Sequence, residues 1–341
     1  MASLLALRRL SYAALAVAFT HLVFGAIVRI TGSGMGCGDH WPKCYGHWFP
    51  PMDQPTLVIE WTHRLLASIL VVTVAALALA AWRRRRDAGV AGPGGVLRPA
   101  VAALVVVIAA ALLGAITVKL GNATYATVAH WTMAMALFAV LAAAAIRAGA
   151  LGGATALRER GSAKTARGAM AAAALAFVAV AMGGLTAKYP GAAVACRGFP
   201  LCGADPSVTG GGMHVQVTHR VFAYLLFFHL LGMAIALGRR KHEAPIVVKA
   251  ARVALALVVL QVIVAASMVL MTLPPVLRSL HEAVGVSVWL GTFAFAYLAR
   301  RASSTGQQLL DIESPLSGRP QPVSAASHAT PGFSTGRSTA P

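Results

Sequence analysis

The sequence predicts an all-α integral membrane protein, with eight transmembrane helices arranged as two tandem pseudo-symmetric four-helix bundles. Three observations carry this. Of its 341 residues 58% are hydrophobic and only 11% charged, with a mean hydropathy of +0.72, where a soluble domain carries roughly 25% charged residues. Eight apolar stretches fall at about 11–30, 57–82, 99–118, 126–147, 168–187, 214–237, 249–271 and 279–300, each close to the roughly 20 residues that a ~30 Å hydrocarbon core asks of a spanning helix. Finally, Glu60-Trp61-Thr62-His63-Arg64 returns 156 residues later as Gln216-Val217-Thr218-His219-Arg220, and both copies open a long apolar run.

The net charge of +19 would suit nucleic acid, but its distribution suits a membrane. Arg8-Arg9, Arg83 to Arg86, the group Arg158, Arg160, Lys164 and Arg167, Arg239-Arg240-Lys241, and Arg300-Arg301 all fall on one side of an eight-span chain. The positive-inside rule makes that side cytoplasmic, together with both termini. No nucleic-acid partner is expected. The first stretch reads as a span rather than a cleaved leader, because its run exceeds a usual signal h-region and its exit, Gly25 to Thr31, is echoed at Gly184 to Lys188.

Taken in order, the first span delivers Arg29 to the outer face, and the loop at 31–55 contains Cys37 and Cys44. The second span carries Glu60 and His63, one helical turn apart on one face. Gly-Pro-Gly-Gly at 92–95 is turn chemistry joining the second and third spans. The fourth span opens near His130. A Gly-rich, then basic, linker at 148–167 separates an N-terminal half, 1–147, from a C-terminal half, 168–301. The second half repeats the plan: an outer loop with Cys196 and Cys202, then His219, then His281 after Pro274-Pro275. The tail at 302–341, rich in Ser, Pro, Gly and Gln, reads as disordered.

His63, His130, His219 and His281 all lie near the outer start of an even-numbered span. Polar residues at membrane depth are costly and face the bundle interior, so two facing pairs are expected, 63 with 130 and 219 with 281. Bis-imidazole ligation of haem iron fits two apolar four-helix containers better than a structural zinc site, which takes four Cys/His ligands. Interhelical hydrogen bonding is the plainer use of a buried histidine, but four at repeated offsets favour metal. Arg29, Arg64, Lys188 and Arg220 stand near the same level and suit haem propionates. His21 and His229 read as packing or hydrogen-bonding groups within their spans.

All four cysteines fall in outer loops, where disulfides persist. The short separations predict two local bridges, Cys37–Cys44 and Cys196–Cys202. The second reads as a staple; the first, in the half with Glu60, is as readily redox-active as structural. Glu60, replaced by Gln216 in the other half, is the candidate catalytic group, able to position water or move protons beside a ligand; orienting His63 is its alternative use. Glu282, beside His281, has no acidic counterpart, since Trp131 holds the matching position.

Thr31-Gly-Ser-Gly-Met-Gly-Cys37, Trp41-Pro42-Lys43-Cys44 and Glu60-Trp-Thr-His63-Arg64, with the echoed half, resemble the bacterial type of haem A synthase with cysteine pairs in its outer loops, over about residues 10 to 300. The resemblance implies an oxidoreductase that converts the C8 methyl of haem O to a formyl group, giving haem A for terminal oxidases. It implies substrate haem between His63 and His130, and a haem B cofactor between His219 and His281. It also implies a place in the bacterial cytoplasmic membrane, a pathway link to the haem O synthase, a protohaem farnesyltransferase, and an electron acceptor that the sequence does not name. Self-association stays open. The competing readings are a di-haem b-type electron-transfer cytochrome, whose haems would be expected near opposite faces, and a haem carrier or chaperone.

Overall fold

The computed structural model describes residues 2–51, 53–203, 210–240 and 243–313, with side chains to residue 304. Among the described residues there are eight long helices and no strand. The N-terminal half consists of α1 (Ala2–Ile30), α2 (Pro55–Arg83), α3 (Leu97–Lys119) and α4 (Thr124–Arg147). A one-turn helix, α5 (Gly153–Ala156), lies in the linker. The C-terminal half consists of α6 (Ala163–Lys188), α7 (Gly211–Gly238), α8 (Pro245–Leu270) and α9 (Pro275–Glu313). All eight long helices are long and apolar enough to cross a membrane.

Local chemistry starts and stops these helices. Proline occupies the first turn of α2 and α8, where its missing N–H is no loss. Ser162 caps α6 by accepting a hydrogen bond from the Thr165 amide at 3.1 Å. Asn122, in the left-handed conformation at φ 59°, turns the chain between α3 and α4. The last helix differs from expectation. It runs on to Glu313, past the boundary drawn at 302, because residues 302–313 contain no proline and, apart from Gly306, no strong helix breaker. Positions from 314 on in the expected tail lie outside the described residues.

In the first half α1 packs on α2, α2 on α3, α3 on α4, and α4 back on α1, closing a four-helix ring. In the second, α6 packs on α7 and α7 on α8, with α9 joined to α6 by Phe177–Trp289 ring contact at 5.4 Å and to α8 by Gln261 against His281. The halves meet along α4 and α6. There Trp131 Nε1–H reaches the Val180 carbonyl at 3.4 Å, and Trp289 Nε1–H donates to the Met135 carbonyl at 2.9 Å. The most apolar windows of α4 and α9 are 56% and 50% buried, against 17–28% for the other spans, so these two form the central wall. Its material is small: Ala142, Ala144 and Ala145 are fully buried. Close helix approach through alanine replaces the hydrophobic drive that lipid removes. Exposed Val72, Val105, Phe228 and Ile263 are the lipid-facing side of the same economy.

At the arginine-rich end, Glu243 fastens the linker to the α7–α8 connection. Ser162 Oγ and Thr165 Oγ1 each donate to it at 2.5 Å, and Arg240 lies 3.4 Å away. Burial works to raise the Glu243 carboxyl, but these hydrogen bonds, with one from the Ser162 amide, outweigh it and hold the group below the usual carboxylate range.

Candidate functional site

The four histidines expected from sequence all lie near the end of the bundle that carries the disulfide loops. His63 and His219 are each the ninth residue of their helix, and His130 and His281 each the seventh. At 1.5 Å per residue these rings sit about 12 and 9 Å along the helix axes. His63 and His130 lie within electrostatic reach of each other, as do His219 and His281.

Two of the four are seated by backbone. His130 Nδ1–H donates to the Ala110 carbonyl of α3 at 3.0 Å, and Gly114, one turn on, lies so close that a Cβ there would stand 3.1 Å from His130 Cε1. His219 Nδ1–H donates to the Ala179 carbonyl of α6 at 2.9 Å, and a Cβ on Gly183 would again stand 3.1 Å from the ring. A carbonyl and a glycine four residues later therefore fix both rings and leave Nε2 as the free lone pair. That is the tautomer a metal ligand needs.

The other two are seated by side chains. Gln261 of α8 donates to the His281 carbonyl at 2.9 Å and places the same amide nitrogen 3.1 Å from His281 Nδ1. His63 is flanked by α1: its ring stacks on His21 at 4.2 Å and 13°, with Phe24 nearly parallel at 6.5 Å and Gly25 beside its Cε1. His21, Phe24 and Gly25 share one face of α1 at spacings of three and four. Three buried atoms among these groups lack a hydrogen-bond partner: His21 Nε2 and His63 Nδ1 on the stacked rings of α1 and α2, and Gln261 Oε1 beside His281 in the other half. Unpaired buried polar atoms are rare in native proteins. Imidazole donors from facing helices and the glycine clearances beside their rings fit a haem between each pair: His63 with His130, and His219 with His281.

The disulfides form as expected, Cys37–Cys44 and Cys196–Cys202. Each bridged loop is tied to the helix below it through the residue one turn before the histidine. The Cys37 amide donates to Glu60 Oε2 at 2.8 Å, and the Cys196 amide to Gln216 Oε1 at 3.0 Å. Both acceptors are buried, at 3% and 6% exposure. Arg64 Nη1 donates to the carbonyls of His40, Pro42 and Lys43, and Arg220 Nη1 to those of Gly198, Pro200 and Leu201.

The halves diverge at one atom. Arg64 Nη2 pairs with Glu60 Oε1 at 2.5 Å, whereas Arg220 Nη2 turns to the Cys196 carbonyl at 3.1 Å, since Gln216 offers no charge. Arg64 and Arg220, candidates for propionates, thus serve as loop clamps in this structure. Arg29, a third candidate, crosses between the halves to Glu282 at 2.7 Å, which gives Glu282 the partner its sequence position did not reveal. Lys188 lies beside this pair near the α4 terminus, and its carbonyl is 3.4 Å from Thr124 Oγ1.

His21 is the group that sequence reading undervalued. The available signal was its position four residues before Gly25 together with the absence of a counterpart: Val180 stands 159 residues on, the same interval as Cys37 to Cys196. The echo of Gly25 at Gly184 also shifts in three dimensions, because Gly184 faces Trp131 while Gly183 faces His219. His229 behaves as expected, donating to the Gly168 carbonyl at 2.8 Å.

Comparison with known proteins agrees with this geometry. The sequence model of the family described as cytochrome oxidase assembly protein (COX15-CtaA) matches residues 8–293. The chain is similar to proteins named heme A synthase. It is 31% identical over 246 residues to one from Shouchella clausii, covering 70% of this chain and 78% of the relative. To one from Bacillus licheniformis it is 29% identical over 246 residues, covering 70% and 78%. To one from Geobacillus thermodenitrificans it is 27% identical over 305 residues, covering 86% and 93%. A match across nearly the whole membrane portion, with both histidine pairs inside it, means that the chain belongs to the COX15-CtaA cytochrome oxidase assembly protein family.

Proposed function

We propose that this chain is a haem A synthase: a membrane oxidoreductase that takes haem O as substrate and converts its C8 methyl to the formyl group of haem A, for use by terminal oxidases. The observation that carries the assignment of roles is the Glu60/Gln216 exchange within two otherwise matching loop anchors. A half that only passes electrons needs no carboxylate one turn from its histidine. A half that oxidises a methyl group has protons to move.

In this reading His63 and His130 hold the substrate haem, and His219 and His281 hold a haem B cofactor. The bound haem iron supplies redox chemistry in each half. The protein's own residues do the rest. The carbonyl seats of Ala110 and Ala179 fix two ligand rings. The apolar bundle excludes water around the rings. Glu60 holds or moves a proton where helix α2 meets the Cys37–Cys44 loop, and Arg64 is paired to it. The histidine pairs lie toward the disulfide end, which by the positive-inside rule faces away from the cytoplasm. The Cys37–Cys44 bridge staples the loop whose Cys37 amide anchors Glu60.

Co-expression with a haem O supply in a host lacking haem A tests this. Extracted haem A that appears only with the intact chain is the expected outcome. Haem B alone, from folded protein with haem O present, would instead support an electron-transfer cytochrome.

A further inference from the structure

Two of the four candidate ligand histidines have an acceptor for Nδ1–H on a neighbouring helix, the Ala110 carbonyl for His130 and the Ala179 carbonyl for His219, while Gln261 holds His281 by donating to its main-chain carbonyl. His63 has none, and its Nδ1 is buried without a hydrogen-bond partner. A histidine that binds metal through Nε2 carries its proton on Nδ1, and that N–H almost always finds an acceptor. The nearest ring to His63 is His21, stacked at 4.2 Å, and its Nε2 is likewise buried and unpartnered.

Stacking alone does not account for a histidine at position 21. Phe24 already lies nearly parallel to His63, and an apolar ring at 21 would avoid the cost of an unsatisfied buried polar group. The residue belongs to one half only: with Gly25 matched to Gly183, the ring-facing glycines, its counterpart in α6 is Ala179. In that half α6 supplies the Ala179 carbonyl instead. Two orphaned nitrogens on adjoining rings, in the one half where the backbone supplies no acceptor to this histidine, form a donor and an acceptor waiting to be matched.

We propose that His21 is the positioning residue of His63: its Nε2 accepts the Nδ1–H that His63 carries once His63 Nε2 is bound to iron, the two rings turning from stacked to edge-on contact. His21 thereby does for His63 what a main-chain carbonyl does for His130 and His219. The inference rests on the proposed ligand role of His63.

The experiment uses the purified, haem-loaded full chain and follows the low-spin haem signals by electron paramagnetic resonance, together with haem retained through purification. His63→Ala and His219→Ala first assign the signals to their halves. His21→Leu removes both ring and acceptor, His21→Phe keeps the ring alone, and His21→Gln keeps an acceptor at similar reach. Expected is that the Leu and Phe variants shift the His63-dependent signal and weaken haem retention in that half by about 10- to 100-fold, while the His219-dependent signal stays put and the Gln variant recovers most of the loss. A Phe variant indistinguishable from wild type would overturn the proposal in favour of stacking. Equal disturbance of both signals would reduce His21 to a packing residue. If no haem signal responds to His63→Ala, the ligand reading itself fails, and the inference falls with it.

Discussion

The N-terminal and C-terminal halves present their histidines at the same register and anchor their disulfide loops through the same position, yet they stabilise those features by different means. In the C-terminal half a neutral Gln216 accepts one loop amide, and Arg220 donates from both Nη1 and Nη2 to loop carbonyls. In the N-terminal half Glu60 accepts the corresponding amide and also binds Arg64. The first arrangement is a latch. The second is the same latch with an ionisable group built into it. His219 is seated on main chain, whereas its counterpart His63 leans on the side chains of His21 and Phe24.

Exchanging the differing residue is the strongest way to break this contrast. Glu60→Gln makes the N-terminal anchor resemble the other and keeps its loop acceptor, so haem binding and folding should persist. Haem A formation should fall by about 10²- to 10⁴-fold, the usual contribution of a positioned acid or base. Gln216→Glu should leave formation close to wild type, because the added carboxylate stands in the half proposed to hold the cofactor. Pigment analysis of both variants checks this, and similar losses in the two would erase the distinction.

The disulfides come next. Replacing either cysteine pair by serine should cost about 2–4 kcal/mol of stability, read as an earlier loss of fold on heating in detergent. Only removal of Cys37–Cys44 should also lower haem A formation in protein that remains folded, since only that loop reaches Glu60.

A smaller effect separates the two ring seats. Gly183→Ala places a methyl 3.1 Å from the His219 ring, tighter than an ordinary contact, whereas Gly25→Ala places one 3.4 Å from His63. The first should cost about 1–3 kcal/mol in haem retention through overpacking; the second should be nearly silent. Haem content per purified chain distinguishes them.

Smallest is a pH effect at the opposite end of the bundle. The folded-state pKa of Glu243 lies below its ordinary value, so the group adds stability that is fully present above the unfolded carboxylate value and is lost as pH falls through the folded one. The stability difference between wild type and Glu243→Gln should therefore shrink on acidification below about pH 4.3. Thermal melts across that range measure it.

Much of this contrast is written in the sequence. Eight spans follow from hydropathy, and His63, His130, His219 and His281 follow from repeated intervals, because both signals are periodic along the chain. The pairing of Cys37 with Cys44 and of Cys196 with Cys202 is legible because each loop is too short to offer its cysteines an easier partner. What escapes is any contact between distant segments that no period announces. Arg29 reads as a free cation at a helix end, but the packing of the halves brings Glu282 to it from 253 residues away. Arg64 and Arg220 look available for an anionic ligand until the loops fold over them and present their carbonyls. His21 looks like one polar residue in an apolar run; only the packing of α1 against α2 shows that its ring rests on His63. The end of α9 escapes for another reason, since helix propensity carries the chain past the end of its apolar stretch.

The division of labour between the halves is tested most directly by extracting haems from His63→Ala and His219→Ala variants purified from cells that supply haem O. The account predicts that His63→Ala protein retains haem B while haem O and haem A disappear from it. His219→Ala should retain haem O in the N-terminal half, lose haem B and make no haem A. The same haem lost from both variants, or haem B lost with His63→Ala, would contradict the assignment of substrate and cofactor to the two halves.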